Sequence, residues 1–249
     1  PRRCGPFLNR KRTFRLCEVA MSVGFRIFTQ RPLPDPELIR AYSRCSTAPV
    51  ADAMRRMCAM NPSARLLSRP YGIMAGAALT VRARPGDSLM IHKALNMAGK
   101  GDVLVVSGGE PGRALMGELM FRYAMSKGLA GIVVDGPIRD VDCLPELTLP
   151  IYAAGSTPGG PYREGPGEIN VPVVCCGQCV EPGDILLGDA DGVIVIPSGE
   201  AQALYEEARL AVERDREKTE QARHGLFDRN WVDGELSRKG CEIIDGMWR

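Results

Sequence analysis

The chain has 249 residues, 45% of them hydrophobic and 25% charged, which is typical of a soluble protein with one sizeable domain. No apolar run is long enough to cross a membrane, so we expect no membrane partner. The nine cysteines, an odd number, and the lack of an apolar signal segment favour reduced thiols and a cytoplasmic location. The formal net charge is +2, but residues 1–20 hold six basic residues and one acidic residue, which leaves 26 Lys and Arg against 29 Asp and Glu elsewhere. This balance excludes a broad basic surface for nucleic acid.

The chain begins with an arginine-rich stretch at residues 1–20 that has no apolar periodicity, and we expect an unstructured or non-native basic leader there. A basic targeting or nucleic-acid arm is the alternative. Residues 21–225 are predicted to form a single domain. Its first elements are helices at 33–42 and 46–54, a strand at 76–84 and a helix at 89–98. His92 and Lys93 are expected on the solvated side of that last helix.

The stretch 101–140 is the most informative part of the sequence. Its predicted segments are a strand at 103–106, a loop at 107–112, a helix from Gly117 to about residue 127, a strand at 131–134 and a turn at 135–137. The loop contains three glycines and a proline, so its backbone can bend sharply or approach a ligand closely. The second strand then delivers Arg139 and Asp140 at its carboxyl end.

These residues predict an anion and cation site. A helix that begins near Gly117 directs unpaired N–H groups and its positive dipole end toward the loop, where a carboxylate or phosphate would bind. If Arg139 and Asp140 meet that helix end, one pocket holds amides, a guanidinium and the carboxylates of Glu118 and Asp140, which suits an anionic substrate and a hard divalent cation. The alternative is that Glu118 only offsets its helix dipole and that Arg139 pairs with Asp140 on the surface.

The remaining sequence predicts a β-rich half followed by a long helix. The predicted elements are strands at 150–154, 171–175, 185–187 and 192–196, a long loop at 155–167 and a helix at 198–223. Arg163 in the loop is a candidate substrate contact, although a solvated loop arginine is the ordinary interpretation. Residues 226–249 are predicted to form a tail that packs on the body or on a neighbouring subunit. By itself the pattern supports an α/β domain with a protruding C-terminal helix.

The spacing of Glu118, twenty intervening residues, and then Arg139-Asp140 resembles the signature of the RraA-like family, which includes class II 4-hydroxy-4-methyl-2-oxoglutarate/4-carboxy-4-hydroxy-2-oxoadipate aldolases. Further blocks agree in order between about residues 33 and 225, among them 75–81, 85–87, 101–106, 169–173 and 182–193. The resemblance implies a swivelling β/β/α fold, a sandwich of two sheets flanked by helices. It also implies a homotrimer or a hexamer in which a glutamate from a neighbouring subunit, Glu213 or Glu217, approaches the site.

The lysines and histidines of the sequence restrict how such an aldolase could stabilise its enolate. An aldol cleavage that releases pyruvate needs an enolate stabilised by a lysine Schiff base or by a metal. None of the six lysines lies in an apolar strand, where desolvation would lower its pKa, and two histidines are too few for a three-histidine zinc site. A carboxylate and water site for Mg²⁺ or Mn²⁺, with no organic cofactor, remains.

The residue roles follow from the motif as a hypothesis. Asp140 is the metal ligand and Glu118 holds waters of the metal's shell. Arg139 lies on the keto oxygen of a keto diacid substrate, so Arg139 and Glu118 are the catalytic residues. The amides of residues 117–120, Gly117, Glu118, Leu119 and Met120, bind the substrate carboxylate together with Arg139. The metal and Arg139, which stabilise the enolate, would also promote the decarboxylation of oxaloacetate.

Two other functions compete with the aldolase. The first is a regulator that binds a ribonuclease without catalysis, as the founding members of the family do. Those members lack an acidic residue at the position of Glu118, so its presence favours the enzyme, although the aldolase signature usually has Asp there and the longer side chain changes the water network. The second is a methyltransferase, which is disfavoured because no GxGxxG loop follows a strand.

Overall fold

A computed structural model describes residues 23–69 and 72–248, so the predicted basic leader at 1–20 lies outside the described residues. The strands in chain order are β1 (Phe25–Ile27), β2 (Arg65–Leu66), β3 (Met74–Ala83), β4 (Asp102–Ser107), β5 (Gly131–Ile138), β6 (Ile151–Ser156), β7 (Gly167–Ile169), β8 (Val173–Cys175), β9 (Gln178–Val180), β10 (Ile185–Asp189) and β11 (Gly192–Ile196). The α-helices are α1 (Pro36–Tyr42), α2 (Thr47–Ala53), α3 (Leu89–Met97), α4 (Glu118–Ser126), α5 (Ala201–Arg223) and α6 (Trp231–Arg238), and a 3₁₀ helix spans Val141–Glu146.

The strands form one nine-stranded sheet and a two-stranded hairpin of β8 and β9. In the larger sheet the order β1-β7-β3-β4-β5-β6-β2 places four neighbouring parallel strands, β3 to β6, at its centre, and β10 pairs with β3 and β11. Parallel strands need crossover connections, and α3 and α4 supply two of them. The carboxyl ends of β4 and β5 therefore lie side by side, at the edge where the glycine loop and the Arg139-Asp140 turn emerge.

Alternating side chains of the central strands explain why both faces of the sheet are covered. Leu104 and Val106 face a core shared with Phe121 of α4, whereas Val103 and Val105 face a second core shared with the β8–β9 hairpin. Strands with apolar residues on both faces must be buried on both sides, which makes this region a layered α/β structure. A third core lies between the β10–β11 pair and helices α1, α2 and α5.

The predicted fold class is confirmed, namely two sheets flanked by helices with a protruding C-terminal helix. Residues of α5 from Glu213 to Arg223 are all exposed, because the core contacts of this helix lie before them, at Ala201, Leu204, Tyr205, Ala208 and Val212. The predicted tail contains one further helix, α6, which has no buried residue. Within residues 23–69 and 72–248, no helix combines the length and apolarity of a membrane span.

Candidate active site

The site forms where the backbone after the glycine loop runs beside the end of β5. The amide of Leu115 donates to the carbonyl of Pro137 at 3.0 Å, and the amide of Arg139 donates to the carbonyl of Met116 at 3.0 Å. These two bonds fix the start of α4 against the Arg139-Asp140 turn. The helix end and the strand end therefore meet, which is the condition on which the predicted site depends.

Asp140 adopts the left-handed conformation, with φ of 58° and ψ of 41°, immediately before the 3₁₀ helix. Aspartate is one of the residue types that tolerate this region, and such outliers concentrate at functional sites. Its Oδ2 atom accepts a hydrogen bond from the Glu118 amide at 3.2 Å and lies 3.5 Å from Nε of Arg139. The side chains of Arg139 and Asp140 remain 37% and 46% exposed, so both can contact a ligand from solvent.

Gly117 allows this close approach. A Cβ atom built at Gly117 would lie 2.4 Å from Oδ2 of Asp140 and 3.0 Å from Cγ of Arg139. Its φ of −151° is extended and open to any residue, so the constraint is the space beside the two functional side chains. A side chain at position 117 would occupy the place that Asp140 needs in order to reach the helix.

Of the four predicted anion-binding amides, two have partners within the protein. The Glu118 amide donates to Asp140, as described, and the Met120 amide donates to the Gly117 carbonyl at 3.0 Å in a tight first turn. Among residues 23–69 and 72–248 the amides of Gly117 and Leu119 have no hydrogen-bond partner, so these two stay the candidates for binding an anion. The Leu119 side chain is 85% exposed, whereas that of Met120 is buried in the core.

The Glu118 carboxylate points along α4. Its Oε1 atom lies 2.7 Å from Nε of Arg122, and Arg122 also contacts Glu146 at 3.0 Å. Glu118 is not among the residues that line the pocket beside Asp140. A catalytic role for Glu118 therefore remains a prediction, and in this conformation Arg122 restrains its carboxylate.

A pocket with about 380 Å³ of empty space, its open mouth included, lies against the start of α4. It is lined by His92, Leu115, Met116, Gly117, Leu119, Met120, Arg139, Asp140, Pro161 and Arg163. Two arginines and one aspartate thus face the same space. A pocket with this charge favours an anionic ligand.

His92 corrects one sequence-based expectation. It was assigned to the solvated side of its helix, but it is half-buried and faces the pocket. Burial, and secondarily the positive charge of Arg163, lower the pKa of His92 from its ordinary value of 6.5, so the neutral imidazole predominates at pH 7. Helical periodicity at 89–98 carried no signal for this placement, because a histidine at the rim of the apolar face looks the same whether it faces solvent or a pocket.

Arg163 lies on the long loop at 157–166, and its role as a substrate contact stays a prediction. The Arg163 side chain is exposed and lines the same pocket as Arg139. Glu213 and Glu217 are exposed on α5, and Glu213 pairs with Arg209 at 2.6 Å. Their proposed approach to a neighbouring subunit stays a prediction.

The donor set fits a cation that keeps most of its own water. Within residues 23–69 and 72–248 there is no cluster of three or more His, Cys, Asp or Glu side chains that could enclose a metal. Asp140 offers one half-exposed carboxylate, and Mg²⁺ is the ion that proteins bind through one or two carboxylates with waters and substrate oxygens completing its shell. A zinc site with three or four protein ligands does not fit these residues.

The fold and the site define an α/β protein with an arginine–aspartate pair beside a helix N-terminus, and comparisons agree. A family model described as RraA-like, Aldolase/RraA, matches residues 47–195, which is more than half of the chain. The chain belongs to the RraA-like family.

Individual relatives extend this agreement. A Halalkalibacterium halodurans protein, provisionally named a 4-hydroxy-4-methyl-2-oxoglutarate aldolase, is 35% identical over 174 residues, covering 70% of this chain and 82% of the relative. A Thermus thermophilus protein named 4-hydroxy-4-methyl-2-oxoglutarate aldolase is 40% identical over 124 residues, covering 49% of this chain and 75% of the relative. The crystal structure of Streptomyces coelicolor RraAS2, described as an unusual member of the RNase ES inhibitor RraA protein family, superposes with a TM-score of 0.65 at 30% identity, covering 78% of this chain and 99% of that chain.

Proposed function

We propose that this protein is a divalent-metal-dependent aldolase that cleaves 4-hydroxy-2-keto diacids of the 4-hydroxy-4-methyl-2-oxoglutarate type to pyruvate. The observation that carries the proposal is the Arg139-Asp140 pair held against the amino end of α4 in an anion-favouring pocket. The aldolase names of two relatives support the choice of reaction. Mg²⁺ or Mn²⁺ would be the metal, and the proposal needs no organic cofactor.

The reaction places specific demands on the protein. The bond between C3 and C4 of the substrate breaks, its electron pair moves into the enolate of pyruvate, and the 4-hydroxyl gives its proton to water as the second carbonyl forms. Negative charge therefore develops on the C2 oxygen. The guanidinium of Arg139 is assigned to that oxygen, because a preorganised cation stabilises charge that grows in the transition state. The enolate then takes a proton at C3 and leaves as pyruvate.

The other residues orient the substrate. The amides of Gly117 and Leu119 bind the C1 carboxylate at the positive end of α4. Asp140 would hold the divalent cation, which, when bound, supplies Lewis-acid stabilisation of the keto oxygen. Arg163, which also lines the pocket, binds the distal carboxylate, and neutral His92 donates or accepts a hydrogen bond there.

Oxaloacetate is the expected second substrate. Loss of its C4 carboxylate as CO₂ leaves the same pyruvate enolate that the aldol cleavage leaves. Because the same groups stabilise the same charge, one variant should impair both reactions in parallel.

We also propose that the active form is a homotrimer or hexamer. The pocket is open beside Leu119, whose side chain is 85% exposed, and the neighbouring Tyr123 is 45% exposed. A second copy packed there would exclude water, and Glu213 or Glu217 on the protruding part of its α5 is the candidate contribution to the site. Light scattering of the purified chain tests this assembly.

The direct test is pyruvate release from 4-hydroxy-4-methyl-2-oxoglutarate and from oxaloacetate, measured with and without Mg²⁺ after treatment with a chelator. We expect both activities to require the metal and to fall at least about 100-fold in Arg139→Ala. Arg82→Ala is a matched control, because Arg82 is also a half-exposed arginine in an ion pair but lies on β3, outside the pocket. Unchanged activity in Arg139→Ala would remove the assigned role.

Ribonuclease binding is the competing function, since the Streptomyces relative belongs by its description to a family of ribonuclease inhibitors. A pull-down against a purified ribonuclease separates the two functions. Capture of the ribonuclease by a chain that releases no pyruvate from any keto diacid would favour the regulator.

A further inference from the structure

Asp87 is a fully buried carboxylate between the two segments that carry His92 and Arg163. It is 1% exposed, which is unusual for aspartate. Its Oδ1 atom accepts a hydrogen bond from the Leu89 amide at 2.8 Å, and its Oδ2 atom accepts from the amides of Glu164 at 2.7 Å and Gly165 at 2.9 Å. Three backbone donors therefore converge on one side chain.

The positions of those donors connect Asp87 to the pocket. Leu89 is the first residue of α3, and His92 lies one turn further along the same helix. Glu164 directly follows Arg163. One buried carboxylate thus links the two backbone segments that carry His92 and Arg163.

A second contact fixes the loop just before Arg163. The Tyr162 amide donates to the Gly86 carbonyl at 2.8 Å, and the Ser88 amide donates to the Tyr162 carbonyl at 2.9 Å. The Arg113 guanidinium lies 3.7 Å above the Tyr162 ring and donates to the Tyr162 hydroxyl at 2.6 Å. Arg163 is therefore anchored on both sides in sequence, although its own side chain is exposed.

We propose that Asp87 is a positioning residue for substrate recognition: it holds the backbone that carries Arg163 and His92 in place at the pocket that a keto diacid enters, without touching the substrate. This inference rests on the proposed function, because it assigns the distal carboxylate to the Arg163 wall. The site then distinguishes diacids from simple keto acids by the placement of a loop that Asp87 sets.

The charge of Asp87 matters to this role. A carboxylate can accept from all three amides, whereas an asparagine side chain keeps one acceptor and brings N–H groups against N–H groups. Hydrogen bonds to a charged acceptor are also stronger than those to a neutral one. Asp87→Asn, which preserves volume, should therefore loosen the loop.

The test compares two reactions of the full chain. Cleavage of the keto diacid uses both Arg139 and Arg163, whereas exchange of the C3 protons of pyruvate for deuterium needs only the groups around Arg139 that stabilise the enolate. In Asp87→Asn we expect KM for the diacid to rise about tenfold or more, with the rate of pyruvate exchange within about twofold of wild type. Glu164→Gln is the control, since it removes a carboxylate that is 75% exposed on the same loop and should change neither value. Equal loss of both reactions, or no change in KM, would overturn the proposal.

A second variant guards against failure of Asp87→Asn to fold. Arg113→Met removes the stack on Tyr162 and the bond from Arg113 to the Gly160 carbonyl at 3.0 Å, and it should raise KM for the diacid in the same selective way. Amide hydrogen exchange of residues 157–166 in the free protein provides a readout that needs no activity. Faster exchange of the Glu164 and Gly165 amides in Asp87→Asn supports the positioning role of Asp87. This result holds even if wild type cleaves no keto diacid and the proposed function fails. Unchanged exchange of these amides overturns the positioning role.

Discussion

Gly117→Ala should disable the site while leaving the fold intact. The added Cβ would lie 2.4 Å from Oδ2 of Asp140, whereas ordinary contacts begin at 3.4 Å, so the carboxylate must move by about 1 Å. Asp140 is half exposed and can move, and the backbone at Gly117 is extended, so alanine adds no backbone strain. The change therefore displaces a functional group rather than a core residue.

The expected magnitude follows from this displacement. Misplacing a reacting group by about 1 Å costs about 100-fold in rate, equivalent to about 2.7 kcal/mol of transition-state stabilisation. The free energy of unfolding should fall by only about 1 to 2 kcal/mol, because the variant weakens one exposed hydrogen bond, from the Glu118 amide, and replaces a helix-capping glycine.

The assay is Mg²⁺-dependent pyruvate release, coupled to lactate dehydrogenase, together with urea unfolding of each variant. Gly112→Ala is the matched control, because a Cβ at Gly112 meets no atom within 4 Å. We expect its activity to stay within about twofold of wild type. Wild-type activity in Gly117→Ala would refute the assignment of Asp140 and its helix contact to the reaction, and so would a crystal structure that shows Asp140 unmoved in an inactive variant.

Three further predictions test neighbouring features. Arg122→Gln removes the ion pair that restrains the Glu118 carboxylate, and pyruvate release should therefore fall about tenfold. The free energy of unfolding in urea should change by less than about 1 kcal/mol, because both side chains are about half exposed. His92→Gln should make the free energy of unfolding depend less on pH. The pKa of His92 is lowered in the native state, so below pH 6.5 the unfolded wild-type chain takes up a proton more readily than the native chain does. Wild type therefore loses stability toward pH 5.5, and urea titrations should show a smaller loss for the variant. Gly109→Ala should destabilise the fold by more than about 3 kcal/mol in thermal unfolding, since its Cβ would lie 1.7 Å from the backbone oxygen of Asp135; a melting temperature equal to wild type would contradict this packing.

Local patterns predicted the elements that hold the motif. The apolar run at 103–106 became β4, and the helix expected from Gly117 became α4, because both combine a strong pattern with glycine boundaries. The short strands β1 and β7 had no such signal. Each has three residues and exists through pairing: β7 joins both β1 and β3, so partners distant in sequence determine these strands.

The candidate site likewise combines residues placed by local sequence with residues placed by contacts between distant parts of the chain. Arg139 and Asp140 were predictable because one strand–loop–helix–strand unit contains them and their neighbours. The placements of His92 and Arg163 depend on Asp87, which accepts from amides 77 and 78 residues away. A single carboxylate that accepts from amides so far along the chain produces no periodic pattern in the sequence. The pairing of Glu118 with Arg122 was equally predictable from spacing, since the two are four residues apart on α4.

Charge balance in the pocket argues for the proposed metal and against a simple anion site. The guanidinium groups of Arg139 and Arg163 face one carboxylate, that of Asp140, while His92 is neutral. A dianionic keto diacid would leave this pocket with a net negative charge, just where cleavage creates further negative charge on the C2 oxygen. A hard dication held by Asp140 would reverse that sign and would add its positive charge to that of Arg139 where the oxyanion develops. Because Asp140 is the carboxylate that lines this pocket, Asp140→Asn should weaken Mg²⁺ binding and pyruvate release together, whereas a pocket that only binds anions would hold oxalate more tightly after the same change, as calorimetry can measure.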